Sequence, residues 1–486
     1  MIAETHRLDA CPQPGPPPNR GRGKQVRRSS CLPRFAGGLG WGSARRLALI
    51  PILLLFVAFA PLSAHAVDIQ SVTSPGGITA WLIEDHSNPL ISLALGFKGG
   101  SAGDPPGKEG LATFVSGLMD EGAGDIPSAD FQKRLADHGI DFAFDASLDS
   151  YTGSLRFLTE DKELACDMLG LALTQLRFDP EPVARMRGQF ISMATDAERD
   201  PESLAQDALN RLIFPGHAYA RRSDGTAQSL QAITVDDLKG FVTTNFARDR
   251  LFVAVVGDVT ADQLKPLLDR AFGALPAKSP AIAIPDAKVE DQGGLAVIER
   301  DLPQTILLFG APGIKRDDPD FFPAYLANYT LGGGGFSSRL TNEVRTKRGL
   351  TYGIDTDLVT LDHAGAIMGG AQTRSAAAAQ VIDLTRAEWT KMQTDGPTQE
   401  ELDAAKTYLL GTYMQNFATT ASAARTLLGI QMEHLGIDYP TKRETEIGAV
   451  TLDQAKAAAK RLFDPNKLVV LAVGSSQGLK PTRQVP

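Results

Sequence analysis

A run near the end of the chain matches the nucleophile elbow of serine hydrolases. Residues 474–478 read GSSQG, which fits the G-x-S-x-G pattern and follows an apolar strand pattern. An elbow needs a helix after the serine and a histidine later in the chain to accept its proton. Here Pro481 follows closely, and no histidine lies beyond the serine. The run therefore does not predict a hydrolase triad.

Beyond residue 66 the histidines and the cysteine do not form a metal-binding pattern. A helical zinc site needs two histidines one turn apart, as in H-x-x-E-H or H-E-x-x-H, and neither motif occurs in the chain. Cys166 lies in an amphipathic helical pattern and is interpreted as a small buried hydrophobe. The sequence therefore predicts no metal bound by this chain. The five histidines are His86, His138, His217, His363 and His434.

Four consecutive glycines, Gly332, Gly333, Gly334 and Gly335, form the most unusual run in the second half. A glycine backbone can approach a ligand closely, because it has no side chain. The run is not a phosphate-binding P-loop, since the G-K-[ST] ending is missing. It precedes a predicted helix with Ser337 as its N-cap. A flexible turn and a ligand-contacting loop both remain open interpretations.

The composition excludes several classes of protein. The 486 residues include 49 Lys and Arg against 57 Asp and Glu, a formal net charge of -8. Proteins that coat nucleic acid normally carry a basic surplus, so no nucleic-acid partner is expected. Three cysteines are too few for a disulfide-dense scaffold. The apolar share of 43 % is typical of a globular protein.

The first 66 residues have the pattern of a signal peptide. Arg45 and Arg46 precede an apolar stretch at 47–62, and an A-x-A site ends at Ala66. The stretch is shorter than the roughly 20 residues that a membrane span needs. We therefore expect cleavage near Ala66, export to the periplasm and no membrane anchor afterwards. The long segment before Arg45 also indicates a start codon downstream of Met1.

The rest of the chain contains an internal repeat. Residues 246–257 resemble residues 463–474, which lie 217 positions later, and two further matches recur in the same order at nearly this spacing. Each half runs through two short strands, an apolar helix, a second helix, a strand hairpin, several helices and a buried final strand. The apolar helices are expected at 109–119 and 321–330. This order predicts an α+β fold.

We accordingly expect two homologous tandem domains, each a mainly antiparallel sheet packed with helices. The N-terminal domain is placed at 67–277 and the C-terminal domain at 295–480. A segment rich in proline, glycine and alanine at 278–294 forms the predicted linker, and residues 481–486 form a tail.

An ordered set of short motifs resembles the pitrilysin/insulinase family of zinc peptidases. The likeness covers essentially all of the chain beyond residue 66, and it implies the processing-peptidase type of fold. No single motif is specific, but their order is. They are GGSAGDPPGKEGLA at 99–112, DPE at 179–181, FPGH at 214–217, LGGGG at 331–335 and RTKRGLTY at 345–352.

The resemblance also shows which residues this chain lacks. Active members of the family carry H-x-x-E-H on the first apolar helix, where two histidines bind zinc and the glutamate acts as general base. Those positions fall here on Thr113, Ser116 and Gly117, and the downstream third ligand falls near Ser192 and Met193. None of these residue types can form a zinc site. The resemblance thus implies a non-catalytic chain with a degenerate motif.

A different part of the family pattern is retained in the C-terminal half. The resemblance implies that Arg345 and Tyr352 bind substrate, and that the loop at 332–335 contacts peptide. A guanidinium and a phenol are donors that suit a developing oxyanion. We expect a peptide substrate and a homologous H-x-x-E-H partner that holds the zinc. The alternative is a non-enzymatic peptide-binding or scaffold homodimer.

Overall fold

The computed structural model describes residues 68–280 and 283–485, so the predicted signal peptide lies outside the described residues. The N-terminal half contains eight strands and eight α-helices. Its strands are β1 (Gln70–Thr73), β2 (Thr79–Glu84), β3 (Leu90–Lys98), β4 (Gly122–Ala123), β5 (Ile126–Pro127), β6 (Asp141–Ala146), β7 (Ser150–Leu158) and β8 (Leu251–Gly257). Its helices are α1 (Leu111–Ser116), α2 (Ser128–Asp137), α3 (Lys162–Thr174), α4 (Pro180–Ala197), α5 (Pro201–Ile213), α6 (Ala227–Ala232), α7 (Val235–Asn245) and α8 (Ala261–Phe272).

The C-terminal half has a similar order of strands and helices along the chain, with five strands and six α-helices among its described residues. Its strands are β9 (Gly294–Glu299), β10 (Thr305–Pro312), β11 (Thr351–Leu361), β12 (Ala364–Thr373) and β13 (Val469–Gly474). Its α-helices are α9 (Phe321–Asn328), α10 (Ala378–Asp395), α11 (Gln399–Tyr413), α12 (Thr420–Met432), α13 (Tyr439–Ala449) and α14 (Leu452–Leu462). Two π-helical segments, Tyr329–Gly333 and Thr341–Thr346, lie between α9 and β11. No helix in the described part of the chain is long and apolar enough to cross a membrane.

Each half forms one main sheet. The first has the order β1-β2-β8-β3-β7-β6 and the second β11-β12-β10-β13-β9. The pairs β2–β8 and β9–β13 are parallel, and the other neighbours in these sheets are antiparallel. Strands β8 and β13 begin 218 residues apart. The prediction of two homologous α+β domains with mainly antiparallel sheets is confirmed.

One helix of each half packs on the main sheet of the other half. Helix α5 packs on the second sheet, where Ile213 lies so close to Gly310 that a Cβ there would be 2.6 Å from its Cγ1 atom. Helix α12 packs on the first sheet, where Met432 lies in the same way over Gly96. The Gln431 amide also donates to the Val253 carbonyl oxygen at 2.8 Å. The described halves therefore form one compact unit, and the predicted domain boundaries stay predictions.

A polar cluster lies where the two halves meet. The Tyr219 hydroxyl donates to Asp149 Oδ1 at 2.6 Å and accepts from the His363 N–H at 3.1 Å. Lys98 forms an ion pair with Asp362 at 2.7 Å. Burial raises the pKa of Asp149, while the Tyr219 hydroxyl and the Asp362 N–H partly offset this rise. Tyr219 thus links the β6–β7 turn of one half to the β11–β12 turn of the other through one hydroxyl.

Replacing Tyr219 by phenylalanine should lower the free energy of unfolding by about 1–3 kcal/mol, since a buried acceptor and an N–H lose their partner. Tyr151→Phe is the matched control, because Tyr151 is also fully buried but its hydroxyl has no hydrogen-bond partner among the described residues. That change should be neutral or stabilising. Urea unfolding of both variants measures the difference. Equal losses would contradict the assigned role of the Tyr219 hydroxyl.

Local differences from the predicted elements have clear causes. Helix α1 spans only Leu111–Ser116, because Gly110 adopts a left-handed conformation with φ of 89° before it and Gly117 ends it. Strand β1 was not predicted. The helix after the glycine run begins at Arg339, and the Ser338 hydroxyl accepts from the Thr341 N–H at 3.3 Å. The prediction that Ser337 caps this helix is therefore wrong.

Candidate functional site

Helix α1, which carries the degenerate zinc motif, is held at its N-terminus by a buried carboxylate. Asp104 accepts hydrogen bonds from the Gly110 N–H at 3.0 Å and from the Ala112 N–H at 3.2 Å. Burial raises the pKa of Asp104 to about 7, although these N–H groups and Arg221 favour the charged form. The Asp-Pro pair in the first motif thus begins with the residue that anchors this helix.

The two hydroxyl residues of the degenerate motif are engaged with backbone carbonyls. Thr113 donates to the Ser223 carbonyl oxygen at 3.1 Å. Ser116 donates to the Thr113 carbonyl oxygen at 2.8 Å, a local bond common for serine in helices. Both side chains are half-buried. Neither hydroxyl is a zinc ligand of the usual nitrogen, sulfur or carboxylate kind.

The position of the second histidine is filled by side chains from another helix. A Cβ atom on Gly117 would lie 2.7 Å from the Phe190 ring and 2.9 Å from the Met186 methyl group. Phe190 also packs edge-on against Phe114, with ring centroids 5.6 Å apart. A histidine can occupy residue 117 only if the Phe190 ring and the Met186 methyl group move aside. This packing was not predictable from residue types, because Met186 and Phe190 have an ordinary helical spacing.

Helix α4 contains the position expected for the downstream third ligand, but the side chains that it places against the motif are apolar. Ser192 and Met193, where the third ligand was expected, are exposed, while Met186 and Phe190 lie against Gly117. Among the described residues no group of three histidine, cysteine or acidic side chains has the arrangement of a metal site. The residues at the motif therefore do not fit zinc.

The five histidines beyond residue 66 lie apart from the motif and have separate partners. Four of them contact an acidic side chain or a carbonyl oxygen, and the fifth packs against an aromatic ring. The partners are Asp258 for His86 (2.7 Å), Asp161 for His138 (2.6 Å), the Pro285 carbonyl oxygen for His217 (2.9 Å), Asp286 for His363 (3.4 Å) and Phe252 for His434.

Arg345 lies in the second π-helical segment, Thr341–Thr346, and is half-buried. Its guanidinium carbon is 4.5 Å from the centroid of the Phe336 ring. The neighbouring Lys347 and Arg348 both form ion pairs with Glu343. No carboxylate among the described residues pairs with Arg345, so its donors are available to a ligand.

Tyr352 is the second residue of β11 and is 85 % exposed. The strand pairing shifts between Thr351 and Ile354, and such an irregularity changes the direction of the side chains in it. The Thr351 hydroxyl fixes this bend through the carbonyl oxygens of Gly353 and Gln372. A short turn joins the segment of Arg345 to this strand, since the Leu350 N–H donates to the Val344 carbonyl oxygen at 3.0 Å.

The glycine run is packed into the fold over most of its length. A Cβ atom on the buried Gly332 would lie 2.7 Å from the Thr356 backbone nitrogen, and one on Gly334 would lie 2.9 Å from the Tyr329 ring. Gly333 is exposed, yet a Cβ atom on it would lie 3.3 Å from both the Asn328 side-chain nitrogen and the Thr356 carbonyl oxygen, which is a tight contact. Gly335 has a φ of 54° and faces open space. Only the last part of the run is thus free of close neighbours.

Replacing Gly332 by alanine should lower the free energy of unfolding by about 1–3 kcal/mol, because its methyl group would overlap the backbone of β11. Gly411→Ala is the control, since Gly411 lies inside α11 with nothing near its missing side chain. Helix propensity predicts that this control stabilises the chain by up to about 1 kcal/mol. Thermal unfolding of both variants checks the sign, and a stable Gly332→Ala variant would contradict the packing argument.

Comparisons with known proteins agree with this arrangement. The model of "Insulinase (Peptidase family M16)" matches residues 79–226, and that of "Peptidase M16 inactive domain" matches residues 232–409. A Helicobacter pylori protein called "Non-peptidase homolog YmxG" is 26 % identical over 427 residues, covering 88 % of this chain and 98 % of its own. A Streptomyces coelicolor protein called "Uncharacterized zinc protease SCO5738" is 26 % identical over 405 residues, covering 81 % of this chain and 86 % of its own.

A solved structure has the same fold. The crystal structure of a peptidase M16 inactive domain from Pseudomonas fluorescens superposes with a TM-score of 0.79 at 28 % sequence identity, covering 86 % of this chain and 100 % of its own. The chain therefore belongs to the pitrilysin/insulinase family, peptidase family M16. Within that family it is similar to proteins called a non-peptidase homolog and an inactive domain, and its degenerate motif carries none of the histidine or glutamate residues of H-x-x-E-H.

Proposed function

We propose that this chain is the non-catalytic, substrate-binding subunit of a heterodimeric zinc peptidase. One contrast carries the proposal. At the end of α1 the position of a zinc histidine, Gly117, is covered by Phe190, whereas the side chains of Arg345 and the exposed Tyr352 have no ion-pair or hydrogen-bond partner among the described residues. Side chains without internal partners are available to bind a ligand. The chain therefore retains donor side chains while its degenerate motif carries no zinc-ligand residues.

The chemistry divides naturally between two chains. A homologous partner with H-x-x-E-H would supply the zinc and the general base, which activate water for attack on a peptide carbonyl. Arg345 and Tyr352 of this chain would donate to the substrate backbone and to the oxyanion that forms during attack. The arrangement requires a chamber shared by both chains.

We further propose that the complex works in the periplasm. The basic residues before 47, the apolar stretch at 47–62 and the A-x-A site at Ala66 support export. Mass spectrometry of the chain expressed in its own host would test the cleavage site. A mature chain that begins near residue 67 is expected, and an intact N-terminus in the cytoplasm would refute export.

The decisive experiment measures zinc-dependent cleavage of a peptide library. The chain without residues 1–66 is assayed alone and after mixing with an H-x-x-E-H homologue from the same genome. Activity that is much higher in the mixture than with either chain alone is expected. Zinc-dependent activity of this chain alone would refute the proposal. A stable but inert complex, or a stable homodimer that binds peptide, would favour the scaffold alternative.

A further inference from the structure

Phe336 is a large apolar side chain left in solvent beside the proposed substrate-binding pair. Its ring is 75 % exposed, and it directly follows the glycine run. The Arg345 guanidinium lies over this ring at 4.5 Å, within the range of a cation–π interaction. The ring therefore contacts the cation rather than the hydrophobic core.

Arg345 needs such a support because its own helix gives it none. Glu343, the acidic residue of this segment, accepts from Lys347 and from Arg348, the latter at 2.7 Å, and residues two apart in a helix do not face each other. An arginine without a partner samples many rotamers and loses that freedom when it binds a ligand. A flat ring beneath the guanidinium restricts this sampling and leaves the edge of the group free to donate.

The glycine run fixes where the ring lies. Gly334 fits closely against Tyr329, and Gly335 takes a left-handed conformation. The hydroxyls of Ser337 and Ser338 then close the turn by donating to the carbonyl oxygens of Gly334 and Gly335, at 2.7 Å and 2.9 Å. The turn that presents Phe336 is therefore specified by bonds on both sides of the ring.

We propose that Phe336 is a positioning residue that orients Arg345 toward the substrate, and that the glycine run serves the site by placing this ring. The inference rests on the proposed function of Arg345 and deepens it. It assigns the contribution of the loop to an aromatic side chain, where the resemblance implied contact of the glycines with peptide.

A double-mutant cycle on the mixed peptidase tests the proposal. Phe336→Leu keeps an apolar side chain without a ring, and it should lower kcat/KM by about two- to fivefold. Phe336→Trp, which keeps a ring, should retain the wild-type rate. In an Arg345→Ala background Phe336→Leu should have no further effect. Leu158→Ala, which alters an exposed apolar residue on β7, is the control for loss of surface apolar area.

A second measurement does not depend on activity. In the chain carrying labelled arginine, ring currents should shift the Arg345 side-chain protons upfield, and Phe336→Leu should abolish that shift. An equal loss of rate from Phe336→Leu with and without Arg345, or an unshifted Arg345 signal in the wild type, would overturn the proposal. If the wild-type mixture is inactive, the proposed function has failed, and the shift alone decides whether Phe336 orients Arg345.

Discussion

Replacing Arg345 by alanine is expected to lower kcat/KM of the mixed peptidase by about 10²- to 10³-fold, because loss of one donor to an oxyanion has an effect of this size. The change should act on the rate and not on assembly. Arg345 lies over an exposed ring and makes no ion pair with a described residue, so the fold does not depend on it.

The neighbouring arginine provides a matched control. Arg348 lies three residues further on and pairs with Glu343 at 2.7 Å. Arg348→Ala removes the same charge from the turn just after that segment and should leave the rate within about twofold, since exposed ion pairs contribute little. Equal losses in the two variants would show a general charge effect and contradict a specific role for Arg345.

Two further substitutions separate charge from geometry. Arg345→Lys keeps the charge without the planar fork, so an intermediate rate is expected. Tyr352→Phe removes one exposed hydroxyl that has no partner among the described residues and should lower the rate without changing stability. The peptidase assay is combined with size-exclusion chromatography, which verifies that each variant still joins its partner. A Tyr352→Phe variant with the wild-type rate would limit the donor role to Arg345.

The strands and hairpins were predictable where the pattern of apolar residues along the chain identifies them. The two short strands predicted in each half agree with β2–β3 and β9–β10, and the predicted hairpins agree with β6–β7 and β11–β12, because their apolar residues alternate or recur in both halves. Strand β1 was missed since only Val72 in it is buried. The true length of α1 depends on the left-handed Gly110, whose missing side chain leaves room for the backbone of Asp224.

The packing of one helix of each half on the sheet of the other was not predictable from the sequence. Helices α5 and α12 have ordinary amphipathic patterns, and nothing in either pattern says which sheet it covers. Their positions depend on shape, since Gly96 and Gly310 leave space for Met432 and Ile213 of the opposite half. The same limit applies to the site. The loss of the zinc ligands was readable from residue types, but the side chains that fill their space come from a helix some 70 residues away.

The buried carboxylate of Asp104 should make a pH-dependent contribution to the stability of the chain. Asp104 has a pKa of about 7 in the folded chain because burial disfavours its charge, whereas an unfolded aspartate titrates near 3.9. A raised folded pKa stabilises the fold below pH 4, and this stabilisation is lost as the pH rises through 7. The difference between the two pKa values corresponds to a loss of up to about 4 kcal/mol.

Comparison with Asp104→Asn isolates this effect, because asparagine resembles the protonated acid and does not titrate. The wild type should lose stability relative to this variant between pH 4.5 and 8, as measured by urea unfolding at several pH values. Asp237→Asn is the control, because the pKa of Asp237 is shifted in the opposite direction. Hydrogen bonding to Lys108 lowers the pKa of Asp237 to about 2, so its contribution is constant over this range and falls only in stronger acid.

The result decides which force sets the charge of the residue that anchors α1. Two N–H groups at a helix start favour a carboxylate, and burial of a side chain that is 3 % exposed opposes it. If the difference in the free energy of unfolding between wild type and Asp104→Asn stays constant from pH 4.5 to 8, the N–H groups prevail. If the wild type loses stability relative to Asp104→Asn as the pH rises, burial prevails, and the helix with the degenerate motif is held most firmly in acid.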